Sequence, residues 1–203
     1  MQELIKSFAI NLFSNPTIAT IFVSMFPVIE VKGAIPFGQS TQIWGTNALS
    51  HTWSFICAIL GGLITSSILL AVLKVIFYYL NKNDRYKHLT EKIKGKLKNK
   101  VKKVESTSKL KTYFCLFAFV AIPLPLTGIW SGTLIAALLN LDYLKSLIIL
   151  NLGNLVAGLI ISLLSFISKD IAIYIFYFFA LFLILTIVYY VAKIIITNLK
   201  ARQ

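Results

Sequence analysis

The hydrophobic positions of this chain predict three long apolar helices and two short apolar segments that are interrupted. Residues 53–80, 143–167 and 171–196 each form an apolar run that exceeds the about 20 residues needed to cross a bilayer. Asn15 followed by Pro16 predicts a helix N-cap, with proline at the first helical position. The pattern predicts an all-α integral membrane protein with three full transmembrane helices.

The first interrupted segment, residues 26–38, reads F-P-V-I-E-V-K-G-A-I-P-F-G. Pro27 and Pro36 each remove a backbone donor, so we expect the preceding helix to break here, after roughly 15 Å, half of a bilayer core. Because an acid and a base are costly inside a membrane, Glu30 and Lys32 indicate a functional site. The alternative is a charge pair that neutralises itself in an exposed loop. In an extended strip their spacing puts the two side chains on opposite faces, so direct pairing is not expected.

The second interrupted segment, residues 113–140, repeats this arrangement. An apolar half-helix runs into I-P-L-P-L-T-G at 122–128, and a second apolar half follows. Thr127 is the predicted cap of that second half-helix. Because broken backbone at membrane depth must be buried in protein or face a watery cavity, both segments are predicted to be re-entrant hairpins.

Charge is concentrated between the two halves of the chain. Residues 81–112 hold twelve of the 20 basic residues and three of the seven acidic ones. Within them, apolar residues recur every three or four positions, at Leu89, Ile93, Leu97, Val101 and Val104. This pattern predicts an amphipathic helix on the anionic inner leaflet, with the loop in the cytoplasm. A second surface helix is predicted near residues 4–13. Nucleic acid is not an expected partner, since no aromatic residues interleave the lysines from Lys92 to Lys111.

These elements predict one membrane domain, residues 1–203, made of an N-terminal half (1–80), the basic loop (81–112) and a C-terminal half (113–203). With the loop and the C-terminus in the cytoplasm, the first hairpin enters from outside and the second from inside. Two interrupted segments at corresponding positions of inverted halves are typical of a transporter's binding site at the midplane.

The chemistry of the predicted site favours an anion. The second half-helix of each hairpin begins at the tip, so its positive N-terminal end points to the centre, where Lys32 adds a full charge. Glu30 either neutralises Lys32 in the empty site or carries a coupling proton. Asn151 and Asn154 lie within an apolar run and are expected to face the bundle.

The segments P-V-I-E-V-K-G-A-I-P and A-I-P-L-P-L-T-G-I-W-S-G-T-L-I-A resemble the small multi-drug export family. By its paired hairpins that family is related to the DedA (VTT-domain) membrane proteins. The resemblance implies a DedA/VTT-like bundle with two inverted re-entrant hairpins meeting at the centre. Matched by motif position, the implied site residues are Glu30, Lys32, Gly33 and Pro36 in the first hairpin and Pro123, Pro125, Gly128, Trp130 and Gly132 in the second.

For DedA proteins the resemblance implies proton-dependent movement of undecaprenyl phosphate. The leading hypothesis is therefore a proton-linked flippase or scramblase for an anionic lipid, a multi-pass protein of the plasma (inner) membrane. An exporter of small cationic compounds and a non-transporting assembly partner remain alternatives. Small residues such as Gly61 and Gly153 allow close packing within one chain or across a homo-oligomer.

Composition and spacing argue against an enzyme. The chain is 58% hydrophobic, and it shows no nucleophile–base pair, metal-ligand cluster or phosphate-cradling glycine loop. No cofactor and no metal are predicted. Cys57 and Cys115 have neither metal nor disulfide spacing, and both are expected to be buried free thiols.

Overall fold

A computed structural model describes residues 11–82, 109–167 and 169–200. The predicted surface helix near residues 4–13 lies almost wholly outside the described residues, as does most of the predicted amphipathic helix of the basic loop. The described chain contains helices and no strand. The elements are α1 (Pro16–Ser24), α2 (Glu30–Gln39), α3 (Thr41–Trp44), a 3-10 turn (Gly45–Asn47), α4 (His51–Lys82), α5 (Lys109–Ala121), α6 (Ile129–Leu138), α7 (Tyr143–Ile167) and α8 (Lys169–Lys200).

Three of these helices are long and apolar enough to cross a membrane: α4, α7 and the Tyr174–Ile194 part of α8. This confirms the prediction of three long apolar helices that could span a membrane. Their outer faces carry exposed large apolar side chains, such as Leu163 at 63% exposure and Tyr189 at 62%. Such a surface is unfavourable in water and is what lipid contact requires.

The first hairpin begins as its sequence predicts. The Asn15 side chain accepts a hydrogen bond from the Thr17 backbone N–H at 2.8 Å, and Pro16 is the first helical residue. Helix α1 ends at Ser24, and the chain reverses before Glu30, with a positive φ of 73° at Val28 and 46° at Glu30.

Pro36 lies inside α2, so the expectation that it breaks the helix is wrong. Its missing N–H costs the helix one bond, the one to the carbonyl of Lys32 in the first turn. Every residue from Glu30 to Gly38 is buried, and α2 packs against α1, α4, α7 and α8. Tertiary packing on four sides holds this short helix together.

Helices α2 and α6 start at the middle of the molecule and leave it in opposite directions. At its C-terminal end, α2 reaches the start of α4, where the Ser54 hydroxyl donates to the Ile35 carbonyl at 2.7 Å. The chain leaving α6 reaches the far end of α4, where the Lys74 ammonium donates to the Leu141 carbonyl. Long helices α4 and α7 run antiparallel, with the Asn151 amide donating to Ser66 Oγ at 2.9 Å.

The two halves of the chain exchange contacts. Within each half, the first short helix packs on its own long helix, α1 on α4 and α5 on α7. Across the halves, α2 packs on α7, and α6 packs on α4. The tips of the two hairpins are thereby brought together between the long helices. The placement of these hairpins in a bilayer as re-entrant segments stays a prediction.

Candidate functional site where the hairpins meet

Glu30 and Lys32 form a buried ion pair in the first turn of α2. Their exposed fractions are 3% and 1%, and Lys32 Nζ lies 3.1 Å from Glu30 Oε2. The expectation that they would not pair is wrong, because the strip is not extended and the positive φ of Glu30 turns its carboxylate out of the regular helix register. The alternative of a pair in an exposed loop is excluded by their burial.

The ammonium of Lys32 joins the two hairpins. Besides Glu30, it donates to the backbone carbonyls of Leu124, at 3.0 Å, and of Thr127. An ammonium has three donors, so these three acceptors satisfy it completely. Both carbonyls belong to the break between α5 and α6, which we call the second break (residues 122–128).

The carboxylate of Glu30 occupies the N-terminus of α6. Its Oε1 accepts a hydrogen bond from the Trp130 backbone N–H at 3.1 Å. Gly128, the N-cap of α6, has φ 142°, and a Cβ there would overlap Glu30 Oε2. An acid from the first hairpin therefore caps the helix of the second. Its negative charge also compensates the positive end of the helix dipole.

Thr127 is not the cap that the sequence predicts. Its hydroxyl donates to the Ile122 carbonyl at 2.7 Å and accepts from the Leu124 N–H at 3.2 Å, which closes the second break on itself. Pro123 and Pro125 lie in this partly exposed turn. Thr127 is thus engaged within the turn, and the Trp130 N–H in the first turn of α6 donates to Glu30 instead.

Trp130 contributes a second link between the hairpins. Its indole Nε1–H donates to the Met25 carbonyl at 3.0 Å, in the break between α1 and α2. We call the set of groups that meet here the hairpin junction; its members are Met25, Glu30, Lys32, the carbonyls of Leu124 and Thr127, Gly128 and Trp130. Met25 and Leu124 contribute through backbone carbonyls, for which a sequence carries no signal.

Three other predicted site residues are buried where helices pack. A Cβ on Gly33 would press on Ile29, and one on Gly132 would press on Leu150 and Val120. Pro36 is buried inside α2. Of the three, Gly132 lies at a close contact with the neighbouring helices α5 and α7. A direct role in binding stays a prediction for all three residues.

Asn151 and Asn154 lie between α4 and α7, as expected for side chains that face the bundle. Asn154 is 1% exposed, and a Cβ on Gly62 would be 2.5 Å from its Nδ2 and 3.0 Å from Ile129 at the start of α6. Among the described residues its Nδ2 has no hydrogen-bond partner. Asn154 is thus beside the hairpin junction, whereas Asn151 bonds to Ser66 and Leu147.

No group of three His, Cys, Asp or Glu side chains that could hold a metal exists within the described ranges. Cys57 and Cys115 are both free. Cys57 is buried as expected, but the same expectation is wrong for Cys115, which is exposed on α5. An apolar helix in lipid can present a thiol outward without contact to protein.

Long apolar helices around a buried ion pair, at the point where two interrupted segments meet, define a helical membrane protein with a charged centre. Residues 30–160 match the family described as "Putative small multi-drug export protein", and the chain belongs to that family. The resemblance to this family that the sequence shows is confirmed, and the family is described as one of export proteins, not of enzymes. No curated protein and no solved structure matches the chain.

Proposed function

We propose that this chain is a proton-linked transporter that moves an anionic lipid, such as a polyprenyl phosphate, through the hairpin junction. The observation that carries the proposal is the position of the Glu30 carboxylate, on the α6 N-terminus and against Lys32. A helix N-terminus and a lysine are the groups that proteins use for phosphate. Glu30 acts as an internal anion that a lipid headgroup replaces.

Protonation of Glu30 provides the link between the proton and the substrate. A neutral carboxyl no longer compensates the Lys32 ammonium or the positive end of α6. Both groups then favour an incoming anion, so binding of proton and headgroup is coupled. After the headgroup leaves, loss of the proton restores the ion pair.

The opposed hairpins supply a route for the headgroup while the lipid chain stays in the bilayer. Because α2 and α6 leave the junction toward opposite ends of α4, parting of one hairpin or the other opens the junction to one end at a time. In this proposal the hairpins are re-entrant, and the basic loop and the C-terminus lie in the cytoplasm.

The test reconstitutes the full chain in liposomes that contain fluorescent undecaprenyl phosphate, with and without a pH gradient. We expect the gradient to accelerate transbilayer movement in the wild type. Lys32→Ala should slow movement at least about 30-fold, since it leaves a buried carboxylate without its cation. Glu30→Gln should remove the response to the gradient.

Lys145→Gln is the matched control, because it removes an exposed lysine from α7 and should leave the rate unchanged. Each preparation is first shown to be folded by size-exclusion chromatography and circular dichroism. Wild-type movement no faster than in empty liposomes, or normal movement in Lys32→Ala, would rule out the anionic-lipid proposal.

A second candidate is the export of small cationic compounds, which the family description favours. Glu30 would then bind the compound, and Lys32 would be its resting partner. The positive N-terminal end of α6 repels a cation at this position, so we rank this candidate second. Proton-driven movement of a fluorescent cationic dye that Glu30→Gln abolishes, without lipid movement, would favour it. A non-transporting assembly protein would be inactive in both assays.

A further inference from the structure

A second basic site lies at the far end of α4, away from the hairpin junction. It is a cavity of about 480 Å³ lined by Lys74, Phe77, Tyr78, Lys82 and Asn140. Gly62, which faces the start of α6, is twelve residues before Lys74 along α4, or roughly 18 Å. The two sites are therefore separate.

Helical spacing builds the cationic wall of this cavity. Lys74, Tyr78 and Lys82 follow one another at four-residue intervals, so they lie on one face of α4, which points toward the turn between α6 and α7. The Lys74 ammonium donates to the Leu141 carbonyl in that turn, which fixes its position beside Asn140. Two positive charges and one amide converge on the same space.

The lining contains no acid among the described residues. Asp142 is close in sequence and immediately precedes α7. Its Oδ1 accepts a hydrogen bond from the Lys145 N–H, in the first turn of that helix, at 3.0 Å. Within the described part of the chain, neither Lys74 nor Lys82 has a carboxylate partner, unlike Lys32 at the junction. The cavity therefore suits an anionic ligand.

A lipid headgroup fits the surroundings better than a soluble anion does. On the neighbouring face of α4, Val75 and Tyr79 are 55% and 65% exposed, and Tyr78 in the lining is 64% exposed. Apolar and tyrosine side chains beside lysines are typical of the lipid–water interface. This end of α4 also leads into the basic loop, which the charge pattern places at the anionic inner leaflet.

We propose that Lys74, Tyr78, Lys82 and Asn140 bind the phosphate headgroup of an anionic phospholipid, whose acyl chains lie along the exposed face of α4. Basic pockets between membrane helices on the cytoplasmic side recognise headgroups in this way. The site does not depend on the proposed transport function, since it shares no residue with the hairpin junction.

Native mass spectrometry of the full chain, titrated with phosphatidylglycerol or phosphatidylcholine, tests the proposal. The wild type should bind phosphatidylglycerol in preference to phosphatidylcholine. Lys82→Gln should weaken phosphatidylglycerol binding about fivefold, and Lys74→Gln with Lys82→Gln about 30-fold, because each interfacial lysine contributes a similar factor. Replacing both lysines with arginine should preserve binding.

Lys109→Gln with Lys111→Gln is the control, since it removes the same charge from exposed positions at the same end of the molecule. Equal weakening by this control would overturn the proposal in favour of general charge attraction. Lys82 is exposed, so its single replacement should not disturb folding, and unchanged binding in that variant would also overturn it. Inorganic phosphate is a third arm: binding as tight as that of the lipid would assign the cavity to a soluble anion.

Discussion

Buried charge in this protein is compensated atom by atom. Lys32 has three oxygen acceptors, while Glu30 has the ammonium and one backbone N–H. Removing one partner of such a pair leaves an uncompensated charge, at a cost of about 3–5 kcal/mol. Lys32→Ala therefore weakens both binding and folding. Glu30→Gln leaves the Lys32 ammonium without its counter-charge, but it keeps an oxygen that can still accept from Trp130, and Lys32 keeps its two backbone carbonyls. A transport defect in Glu30→Gln is therefore more direct evidence for the role of the carboxylate than a defect in Lys32→Ala is for the role of the ammonium.

Gly128→Ala should destabilise the hairpin junction by more than the backbone strain alone would. A methyl group at this position overlaps the Glu30 carboxylate, and φ 142° lies in a region that only glycine adopts readily. Strain and overlap together should cost roughly 2–5 kcal/mol. Thermal unfolding in lipid nanodiscs should show a lower Tm, and the lipid assay should show slower movement.

Gly45→Ala separates the two causes. Gly45 also has a positive φ, 58°, but nothing lies within 4 Å of a Cβ built there. Its replacement should cost only the backbone strain, about 1–3 kcal/mol, because φ 58° with ψ −126° is a conformation that side chains strongly disfavour. Equal losses of Tm in the two variants would mean that contact with Glu30 is not what constrains Gly128.

Sequence reasoning found the charged residues of the junction but not their partners. Glu30 and Lys32 stand out because charge between apolar segments is rare. Their partners are backbone groups at Leu124, Thr127 and Trp130, in the other half of the chain. Every residue has such groups, so no residue type marks them. Local preferences predict Thr127 as the cap of α6, and they give no sign that Glu30, from the other half of the chain, takes that position.

Among the elements, the long helices and the positions of the breaks were predictable from apolar length and from proline and glycine. Pro36 was not, because whether a proline ends a helix depends on what else holds that helix. Helix α2 keeps its form because α1, α4, α7 and α8 surround it. Tertiary packing decided the boundary that local propensity left open.

Close approach of α1 to α4 depends on Gly61. A Cβ there would overlap both Ser24 Oγ and the backbone carbonyl of Ile21. Gly61→Ala should push the helices apart and lower the free energy of unfolding by about 1–3 kcal/mol. Denaturant unfolding in mixed micelles measures the loss.

Two variants refine this prediction. Gly153→Ala, at the contact of α7 with α5, should cost less, since its closest neighbour would be 2.9 Å away. Adding Ser24→Ala to Gly61→Ala should not restore stability, because the clash with the Ile21 backbone persists. Full restoration would show that the serine hydroxyl, and not the backbone, sets the distance between α1 and α4.

The whole molecule is organised by exchange between its halves. Each hairpin packs its second helix on the long helix of the other half, and the junction is where the two tips bind each other. Any motion that exposes Glu30 and Lys32 must separate these tips, since both side chains are almost fully buried. Contacts within one half need not change. This difference between inter-half and intra-half contacts gives a test of the proposed transport motion.

A reversible cross-link between the tips should stop transport. Met25 and Trp130 contact each other across the junction, so cysteines at these positions, in a chain with Cys57 and Cys115 replaced by alanine, can be bridged with a short bis-methanethiosulfonate. Lipid movement should fall to the level of empty liposomes and return when a reductant cleaves the bridge. Cysteines at Thr17 and Trp53, which contact each other within the first half, provide the control, and their cross-link should leave movement unchanged. Normal movement with the tips bridged would mean that the hairpins do not part, and the route through the junction would have to be abandoned.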